Sequence, residues 1–356
     1  MDERIDQGQV ATDEAFQDFI LQGVSRTFAL TIPQLPSSLS RVVGNAYLLC
    51  RIADTIEDEP ALDWEKKCQF AQEFARVVAA KSSASRFAVA LHSQLSDATL
   101  PAERELVSNT ARVIRLTHGF NDVQRSALQR CVQIMASGMA EFQQNKTLAG
   151  LPNLRQLDRY CYYVAGVVGE MLTELFCDHL TEMREHREHL SRLAVSFGQG
   201  LQMTNILKDI WEDRQRGACW LPRDVFLRAG FDLKDLSPDH YSNAFGRGLD
   251  ELIGIARMHL LNALTYTLHF PRGEKGIRRF CLWAVGMAVL TLRNISKHPD
   301  FRTGRQVKIS RRAVQGTVLV TSLAVSNDVI LRGIFQLYTR RLPAASSPMG
   351  LPTPGY

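Results

Sequence analysis

Two short acidic stretches stand out in the sequence because each reads D-x-x-E-D. Residues four apart lie on the same side of an α-helix, so the two aspartates of each stretch would share one helix face. Apolar residues precede both stretches (VVGNAYLLC and LAVSFGQGLQ), which predicts that the two helices are mostly buried. Carboxylates buried together repel each other unless a cation neutralises them, so the pattern indicates a site for divalent metal ions. The six acidic residues are Asp54, Glu57 and Asp58 in the first stretch and Asp209, Glu212 and Asp213 in the second.

Magnesium suits such a site because it prefers oxygen ligands and is commonly held by one or two carboxylates together with substrate phosphates. A diphosphate leaving group needs metal ions and basic side chains to neutralise its charge. Two acidic helices that face each other across an apolar chamber would therefore promote the departure of diphosphate. A single D-x-x-E-D is common on solvated helix faces, and it is the second copy that favours metal. An iron-carboxylate bundle would need Glu-x-x-His pairs, whereas the His-rich run 182–189 has the wrong order.

The rest of the chain is patterned as helix almost throughout, with apolar residues three and four apart and only 23 Gly and 13 Pro in 356 residues. No hairpin signal separates alternating strands, so we expect an all-α fold. The interpretation is one large helical bundle around a central apolar cavity, formed by residues 1–342, with a disordered Pro/Ser/Gly tail over 343–356. The predicted helices cover residues 13–23, 37–58, 62–81, 102–116, 122–145, 153–180, 185–213, 239–266, 275–298 and 309–341.

The composition limits the class of partner and compartment. A formal net charge of +5 suits anionic substrates or an anionic membrane surface, but it is too weak to indicate nucleic acid. Seven cysteines without a C-x-x-C pair indicate reduced thiols, and the polar, acidic N-terminus does not resemble a signal peptide. No apolar run is long enough to span a bilayer. We therefore expect a soluble, cytoplasmic protein, and we leave open a peripheral contact with the membrane. We also expect a monomer.

Four motifs in order along the chain resemble the squalene and phytoene synthase family, and the resemblance runs from about residue 25 to residue 342. They are SRTF at 25–28, RIADTIED at 51–58, YCYYVAGVVG at 160–169, and LQMTNILKDIWED at 201–213 with Arg214 and WLP at 220–222 after it. The resemblance implies the all-α isoprenoid synthase fold. It also implies an enzyme that joins two farnesyl diphosphate molecules head to head to form presqualene diphosphate.

Roles for individual residues follow from the same resemblance. Tyr160 would lie over the reacting carbons and steer or accept the proton lost when the cyclopropane closes, with the released diphosphate as a rival base. The implied ligands of Mg²⁺ are Asp54, Glu57, Asp58, Asn205, Asp209, Glu212 and Asp213. The implied diphosphate-binding residues are Ser25, Arg26, Arg51, Gln202, Asn205, Lys208 and Arg214. The implied lining of the substrate pocket is Phe28, Tyr47, Tyr163, Val164, Gly169, Phe280 and Cys281.

The last third of the chain resembles the branch of the family that reduces presqualene diphosphate to squalene with NADPH. The segments that carry this likeness are GIRRFC at 276–281 and RQVKISRRAV at 305–314. There are two departures, because Lys208 stands where eukaryotic relatives have arginine and Ser310 stands where a basic residue is expected. No Rossmann fingerprint is present. The implied cofactor-binding residues are Asn205, Lys308, Arg311 and Arg312.

Several alternatives stay open at this point. A non-reductive relative would release dehydrosqualene, hydroxysqualene or phytoene, and the choice between NADPH and NADH is equally open. A terpene cyclase or a chain-elongating prenyltransferase also uses two metal motifs, although the 160–169 motif argues against both classes. A non-enzymatic assembly factor on the same fold would be expected to lose acidic motif residues, whereas all six are present here.

Overall fold

The computed structural model describes residues 12–25, 27–144 and 146–346. Within these ranges the regular structure is helical, and the β-type pairing is limited to one bridge between Leu151 and Pro222. The predicted all-α class is confirmed. The described residues divide into two compact units. The first consists of the described residues up to Gln144 together with Glu174–Arg184, and the second consists of the other described residues. The single domain over 1–342 stays a prediction, and most of the predicted tail (347–356) lies outside the described residues.

The first unit is organised around one long helix, α3 (Ser37–Asp58). This helix packs against α1 (Asp13–Val24), α4 (Trp64–Val78), α6 (Pro101–Ser108), α7 (Thr110–Gly119) and α8 (Asp122–Gln144). Its buried side is apolar, with Leu48, Leu49 and Ile52 at 0% exposure. Asn45 is also fully buried, and its amide donates a 2.7 Å hydrogen bond to the Thr117 hydroxyl. The helices of the unit are α1 (Asp13–Val24), α2 (Phe28–Thr31), α3 (Ser37–Asp58), α4 (Trp64–Val78), α5 (Ala84–His92), α6 (Pro101–Ser108), α7 (Thr110–Gly119) and α8 (Asp122–Gln144).

The ends of α3 follow from its sequence. Pro36 stands immediately before the first residue, where a proline needs no hydrogen-bond partner for its nitrogen. Pro60 forces its predecessor Glu59 out of the helical region, to φ −64° and ψ 114°. The helix therefore ends at Asp58, and the first acidic stretch occupies its last turns. Negative side chains there face the negative end of the helix dipole, an unfavourable arrangement that a bound cation would relieve.

The second unit is built around α11 (Arg187–Lys208), which packs against α14 (Asn243–His269), α15 (Lys275–Lys297) and a π-helical turn at Tyr162–Gly166. Two glycines allow these close contacts. A Cβ added at Gly198 would lie 2.2 Å from the Ala165 carbonyl oxygen, and one at Gly169 would lie 2.2 Å from that of Ala194. The helices are α9 (Leu154–Cys161), α10 (Val167–His179, whose end belongs to the first unit), α11 (Arg187–Lys208), α12 (Ile210–Gln215), α13 (Arg223–Arg228), α14 (Asn243–His269), α15 (Lys275–Lys297), α16 (Gly304–Val307), α17 (Arg311–Ala324) and α18 (Asp328–Thr339).

Four of the predicted helices are divided in the structure. The helix predicted over 102–116 is α6 and α7, because Asn109 folds its amide back onto Glu105 and leaves the helical conformation. The helix predicted over 153–180 contains the π-helical turn, and the one predicted over 185–213 breaks at Asp209. The helix predicted over 309–341 is the hairpin α17–α18. Short helices such as α5 and α13 were not predicted at all.

The hairpin is defined by its caps and by one buried ion pair. Ser310 accepts a hydrogen bond from the Ala313 amide at the start of α17, and Asn327 accepts one from Ile330 at the start of α18. Asp328, at the start of α18, binds the guanidinium of the fully buried Arg278. None of the helices in the described part of the chain combines the length and the apolar character that a bilayer crossing requires.

Candidate active site

The first acidic motif surrounds an arginine whose orientation is fixed by its neighbours. Arg51 Nη1 lies 3.5 Å from Glu103 Oε1 and 3.9 Å from Asp54 Oδ2. Arg51 Nη2 donates to the Tyr47 hydroxyl at 3.3 Å, and Tyr47 in turn donates to the Val24 carbonyl at 3.0 Å. Glu103 belongs to α6 and was missed by sequence reasoning, because no motif surrounds it. The planar, permanently charged guanidinium of Arg51 is therefore held in one orientation in the last turns of α3, beside a carboxylate. A guanidinium oriented in this way suits the binding of diphosphate oxygens.

Two carboxyl groups of this motif, those of Asp54 and Glu57, hold protons more tightly than usual. Burial is the main cause, and like-charged neighbours add to it. Together they raise the pKa of Asp54 to about 6 and that of Glu57 to about 8. The Asp54 side chain remains 32% exposed, so it is surrounded by protein and still reachable from solvent. Such a cluster favours the uptake of a cation, because a divalent ion replaces the protons and removes the repulsion.

Glu57 has a different environment from Asp54. Its Oε1 accepts a 2.9 Å hydrogen bond from the amide of Gln143 in α8, and its backbone carbonyl accepts one from Lys67. These three residues, with apolar neighbours, line a cavity of about 20 Å³, which is room for about one water molecule. The implied role of Glu57 as a ligand of Mg²⁺ stays a prediction. Gln143 was missed because it lies far away in the sequence.

The second acidic motif bends where a continuous helix was predicted. Asp209 lies between α11 and α12 with φ −102° and ψ 19°. The amide of Asp213 still bonds the Asp209 carbonyl at 2.9 Å, so the two aspartates remain linked across the break. Lys208 Nζ lies 3.1 Å from Asp209 Oδ2 and 3.4 Å from Asn205 Oδ1. Lys208, which stands where eukaryotic relatives have arginine, thus contacts both Asp209 and Asn205.

Glu212 connects this motif to a segment of the chain that follows α15. Its Oε1 accepts a 2.9 Å hydrogen bond from the amide of Gly304, at the start of α16. A Cβ at Gly304 would lie 3.0 Å from the Lys208 carbonyl oxygen and 3.1 Å from Asp209 Oδ1. Only a glycine therefore fits here without displacing the acidic motif. The segment that begins at Arg305 is in this way fixed against the end of α11, a link that sequence reasoning missed.

The donors of the second motif fit Mg²⁺. Glu212 Oε2 is buried and has no hydrogen-bond partner in the structure, so it can still accept a ligand. Burial raises the pKa of Asp209, although Lys208 works against this. No three His, Cys, Asp or Glu residues converge into a ready-made metal cage in the part of the chain that the structure describes. Magnesium does not need such a cage, because water and substrate phosphates complete its shell.

Tyr160 is held by an aromatic partner that follows the second motif. Its ring stacks on Trp220 with centroids 4.1 Å apart and an interplanar angle of 9°, and both side chains are buried. Trp220 is positioned because the chain around it pairs with the segment before α9, through hydrogen bonds that join Leu151 to Leu221 and to Arg223. The pair presents a flat aromatic surface inside the second unit.

Comparison with known proteins explains this combination of motifs. A family model described as squalene/phytoene synthase matches residues 21–313. The chain belongs to the squalene/phytoene synthase family. This confirms the family that the motifs predicted, and the isoprenoid synthase fold is confirmed with it.

Curated and solved members of the squalene/phytoene synthase family resemble the chain over most of its length. The squalene synthase of Schizosaccharomyces pombe is 27% identical, over 92% of this chain and 68% of the relative. The solved structure of TcSQS with the ligand E5700 has a TM-score of 0.72 and 23% identity, over 93% of this chain and 91% of the other. A dehydrosqualene synthase with a bound ligand has a TM-score of 0.61 and 21% identity, over 86% and 94%. At these identities the two structures establish the fold alone.

The remaining residues that the family resemblance predicted in the first unit have clear positions. Ser25 is buried, and its hydroxyl accepts a 2.9 Å hydrogen bond from the Phe28 amide, so it organises the start of α2. The Phe28 and Tyr47 rings lie 5.0 Å apart. Asp58 is exposed at the end of α3. Arg26 lies outside the described residues.

In the second unit, several residues predicted from the family have structural partners that the motifs alone do not show. Arg214 donates a 3.0 Å hydrogen bond to the Leu148 carbonyl, and Arg159 lies 5.6 Å over the Tyr163 ring. Gly169 faces the backbone of α11, as described above. Burial raises the pKa of Cys281 to about 12, so this thiol acts as a small apolar group.

The other residues predicted in this unit differ in exposure. Phe280 is buried and Asn205 is exposed, while the half-buried residues are Val164, Gln202, Lys208 and Asp213. Their roles stay predictions.

The basic cluster predicted to bind the cofactor lies at the start of α17. Lys308, Arg311 and Arg312 are exposed, and no ion pair engages them in the part of the chain that the structure describes. Ser310, the departure from the family pattern, is the residue that caps α17. Ser310 therefore stabilises the start of α17 and does not supply the positive charge expected at this position.

Asp158 is a half-buried acid that sequence reasoning missed. It precedes Tyr160 by two residues on α9, and burial raises its pKa from the ordinary 3.8 to about 7. Its Oδ1 is buried without a hydrogen-bond partner, while Gln199 donates to its backbone carbonyl at 3.2 Å. The one feature of the sequence that could have indicated Asp158 is its position beside the buried residues Leu157 and Cys161 of α9.

Asp158 should make the protein less stable as the pH rises. Because its pKa is raised in the folded state, its stabilising contribution is complete below about pH 4 and is lost as the pH rises through about 7. A pKa unit is about 1.4 kcal/mol, so we expect a loss of about 2 kcal/mol for this half-buried group between pH 5 and pH 8. Asp158→Asn should abolish this loss. Urea unfolding of both proteins at the two pH values measures it, and the same decrease in both would contradict the assignment.

Proposed function

We propose that the protein joins two farnesyl diphosphate molecules head to head to presqualene diphosphate and then reduces this intermediate to squalene. Curated relatives over most of the chain are squalene synthases. One observation carries the proposal from the structure. An oriented arginine, Arg51, lies beside the partly exposed Asp54, whose pKa is raised to about 6. This arrangement suits the binding of Mg²⁺ and diphosphate together.

In the first reaction, the residues of both acidic motifs bind and orient the diphosphate. Mg²⁺, when bound, neutralises the charge that develops as diphosphate leaves. Arg51 supplies a planar, permanently charged donor that Tyr47 and Glu103 hold in place. Because this fork is already oriented, little conformational freedom is lost when it meets the diphosphate oxygens. The carboxylates of Asp54, Asp58, Asp209 and Asp213, with Glu57, Glu212 and Asn205 beside them, are the proposed metal ligands.

Carbocations then form inside the protein and must be kept from water. The stacked pair of Tyr160 and Trp220 presents aromatic faces, which stabilise a nearby cation and exclude solvent. The Tyr160 hydroxyl is the proposed group that steers or accepts the proton lost on cyclopropane closure, with the released diphosphate as the rival base. A site open to water would yield an alcohol in place of squalene.

The reductive step requires a nicotinamide cofactor, for which the proposed site is the start of α17. Lys308, Arg311 and Arg312 offer charges for the NADPH phosphates, and Asn205 is a further proposed contact. The bond between Gly304 and Glu212 supports this assignment, because it fixes the segment just before the cluster against the second acidic motif. The main alternative is a non-reductive relative, since the dehydrosqualene synthase structure shares the fold.

Product analysis tests the proposed reaction. With farnesyl diphosphate and Mg²⁺ alone, we expect presqualene diphosphate or a non-reduced product, and squalene once NADPH is added. Replacing Arg311 and Arg312 by alanine should raise KM for NADPH about tenfold or more, since a hydrogen bond to a charged group contributes about 1.5–3 kcal/mol. The first reaction should be unchanged. Arg86→Ala, at an exposed arginine of α5, is the matched control. The same products with and without NADPH would favour the non-reductive branch.

The working state of the protein is part of the proposal. We infer a cytoplasmic monomer that contacts the membrane at its surface. All seven cysteines are free thiols, which supports a reducing compartment. Size-exclusion chromatography with light scattering tests the monomer, and a dimer at micromolar concentration would contradict it.

A further inference from the structure

The hairpin α17–α18 exposes an unusual amount of apolar surface. Seven of the seventeen large apolar side chains that are exposed in the described part of the chain lie between residues 319 and 338. Two of them are largely accessible, with Leu323 at 80% and Val329 at 79%. Isolated exposed apolar residues are normal in proteins, but a cluster on one pair of helices indicates a contact surface.

The exposed residues form one stripe on each helix, and we call the two stripes together the apolar face. In α17 the stripe is residues 316, 319, 320 and 323, and in α18 it is residues 329, 330, 333 and 337. This spacing places the members of each stripe on one side of their helix. Gly316 and Gly333 belong to the stripes, and nothing lies within 4 Å of the place where a Cβ would stand at either. Both glycines therefore face open solvent.

Basic residues are concentrated in the segment that contains the apolar face. The segment 302–341 has eight Lys and Arg residues and one acidic residue, which gives a formal charge of +7. The whole chain has only +5, so the remainder carries −2. The acidic residue, Asp328, is engaged by Arg278 and Arg272 and does not offset the exposed charge. Arg332 is exposed on α18, and Arg340 and Arg341 are exposed immediately after its last residue.

We propose that the apolar face docks on the surface of an anionic phospholipid membrane. The apolar side chains would enter the boundary between headgroups and acyl chains, while Arg332, Arg340 and Arg341 bind lipid phosphates. A cavity of about 230 Å³ lies beneath the face between α15, α17 and α18, with an apolar lining that includes Leu282, Val285 and Phe335. Val320 and Tyr338 line it too and are partly exposed, so it reaches the surface and can accept the end of an acyl chain.

A lipid surface fits this face better than a second copy of the chain. Association of two copies through the face would bring two segments of charge +7 together, and like charges oppose such a contact. An anionic membrane complements both the charge and the apolar stripes. The proposal identifies the surface for the membrane contact inferred above and rests on that inference. It does not depend on the proposed reaction, although a hydrocarbon product would leave most easily into lipid.

Co-sedimentation with vesicles tests the proposal directly. The vesicles are phosphatidylcholine alone, or phosphatidylcholine mixed with phosphatidylglycerol. The wild-type chain should bind the mixed vesicles and bind phosphatidylcholine much less. The double variant Gly316→Glu and Gly333→Glu places a carboxylate in each stripe, where space is open, and should weaken binding at least about tenfold. Its melting temperature should not fall, because glutamate is a better helix former than glycine.

Two control variants separate the effect of charge from the effect of substitution. Gly316→Ala with Gly333→Ala makes the same backbone change without charge, and it should keep vesicle binding. Gly119→Glu adds a carboxylate at an open glycine of α7, outside the apolar face, and should also keep binding.

Three outcomes decide the matter. If the folded double-glutamate variant sediments with mixed vesicles like the wild type, the proposal is wrong. If the wild type binds neither vesicle but dimerises in sedimentation velocity, and the glutamate variant does not, a second copy covers the face and the lipid proposal fails. Turnover of soluble farnesyl diphosphate should be unchanged in the glutamate variant. If the wild type binds mixed vesicles but shows no turnover of farnesyl diphosphate, the proposed reaction is wrong and the lipid docking stands.

Discussion

Asp54→Asn should lower the turnover of farnesyl diphosphate by roughly a thousandfold or more, because a metal-bound carboxylate supports several kcal/mol of charge stabilisation in the transition state. Asparagine keeps the size of the side chain and can still meet Arg51, which lies 3.9 Å from Asp54 Oδ2. What it removes is the negative charge needed for Mg²⁺. Because protein surrounds this carboxyl group and raises its pKa to about 6, the variant should fold at least as well as the wild type in the absence of metal.

The measurement is a product assay at saturating Mg²⁺, together with circular dichroism and thermal unfolding. Asp18→Asn is the matched control, since Asp18 is an aspartate of the same unit with 73% side-chain exposure and only a 3.8 Å contact to Arg41. Its turnover should not change. Asp213→Asn should behave like Asp54→Asn if both motifs act in one ionisation step. Turnover within tenfold of wild type in either motif variant would contradict the metal assignment.

Asp328→Ala should lower the free energy of unfolding by about 3–5 kcal/mol. Its partner Arg278 is fully buried, and the Nε and Nη1 atoms of this arginine have no hydrogen-bond partner in the structure. Removing Asp328 would therefore leave a buried charge without compensation. The Asp328 carboxylate also lies in the first turn of α18, where it interacts favourably with the positive end of the helix dipole.

Arg272→Ala provides the control for this prediction, because Arg272 contacts the same carboxylate at 3.2 Å but is 68% exposed. Exposed ion pairs contribute about 0–1 kcal/mol, so this variant should be close to wild type. Urea unfolding monitored by circular dichroism measures both variants. Equal losses of stability in the two, or a loss below about 1 kcal/mol for Asp328→Ala, would show that the buried pair is not the anchor of the hairpin.

Prediction from the sequence was most accurate where local signals act alone. The bounds of α3 were predicted correctly at both ends, because Pro36 and Pro60 limit the helix directly. Periodicity also located α8 and α15 closely. It failed at Asn109 and Asp209, where single residues leave the helix. Both residues lie in apolar patterns that continue across the break, so periodicity alone cannot detect it.

In the candidate site too, the sequence predicted the residues that carry local motifs but not the residues that contact them. The motifs located Asp54, Arg51 and Tyr160, since these residue types and spacings carry chemistry. The partners came from elsewhere in the chain and carry no local signal. Glu103 faces Arg51, Gln143 faces Glu57, Gly304 faces Glu212 and Trp220 stacks on Tyr160.

The sequence by itself determined the helical class, the family, and which residues are chemically suited to metal and diphosphate. Tertiary structure alone decided the state of those residues. It sets which carboxyl groups hold protons, which arginine is oriented, and which apolar helices face solvent. The physical reason is that pKa values and exposure depend on the atoms packed around a group, and those atoms belong to residues far away in the chain.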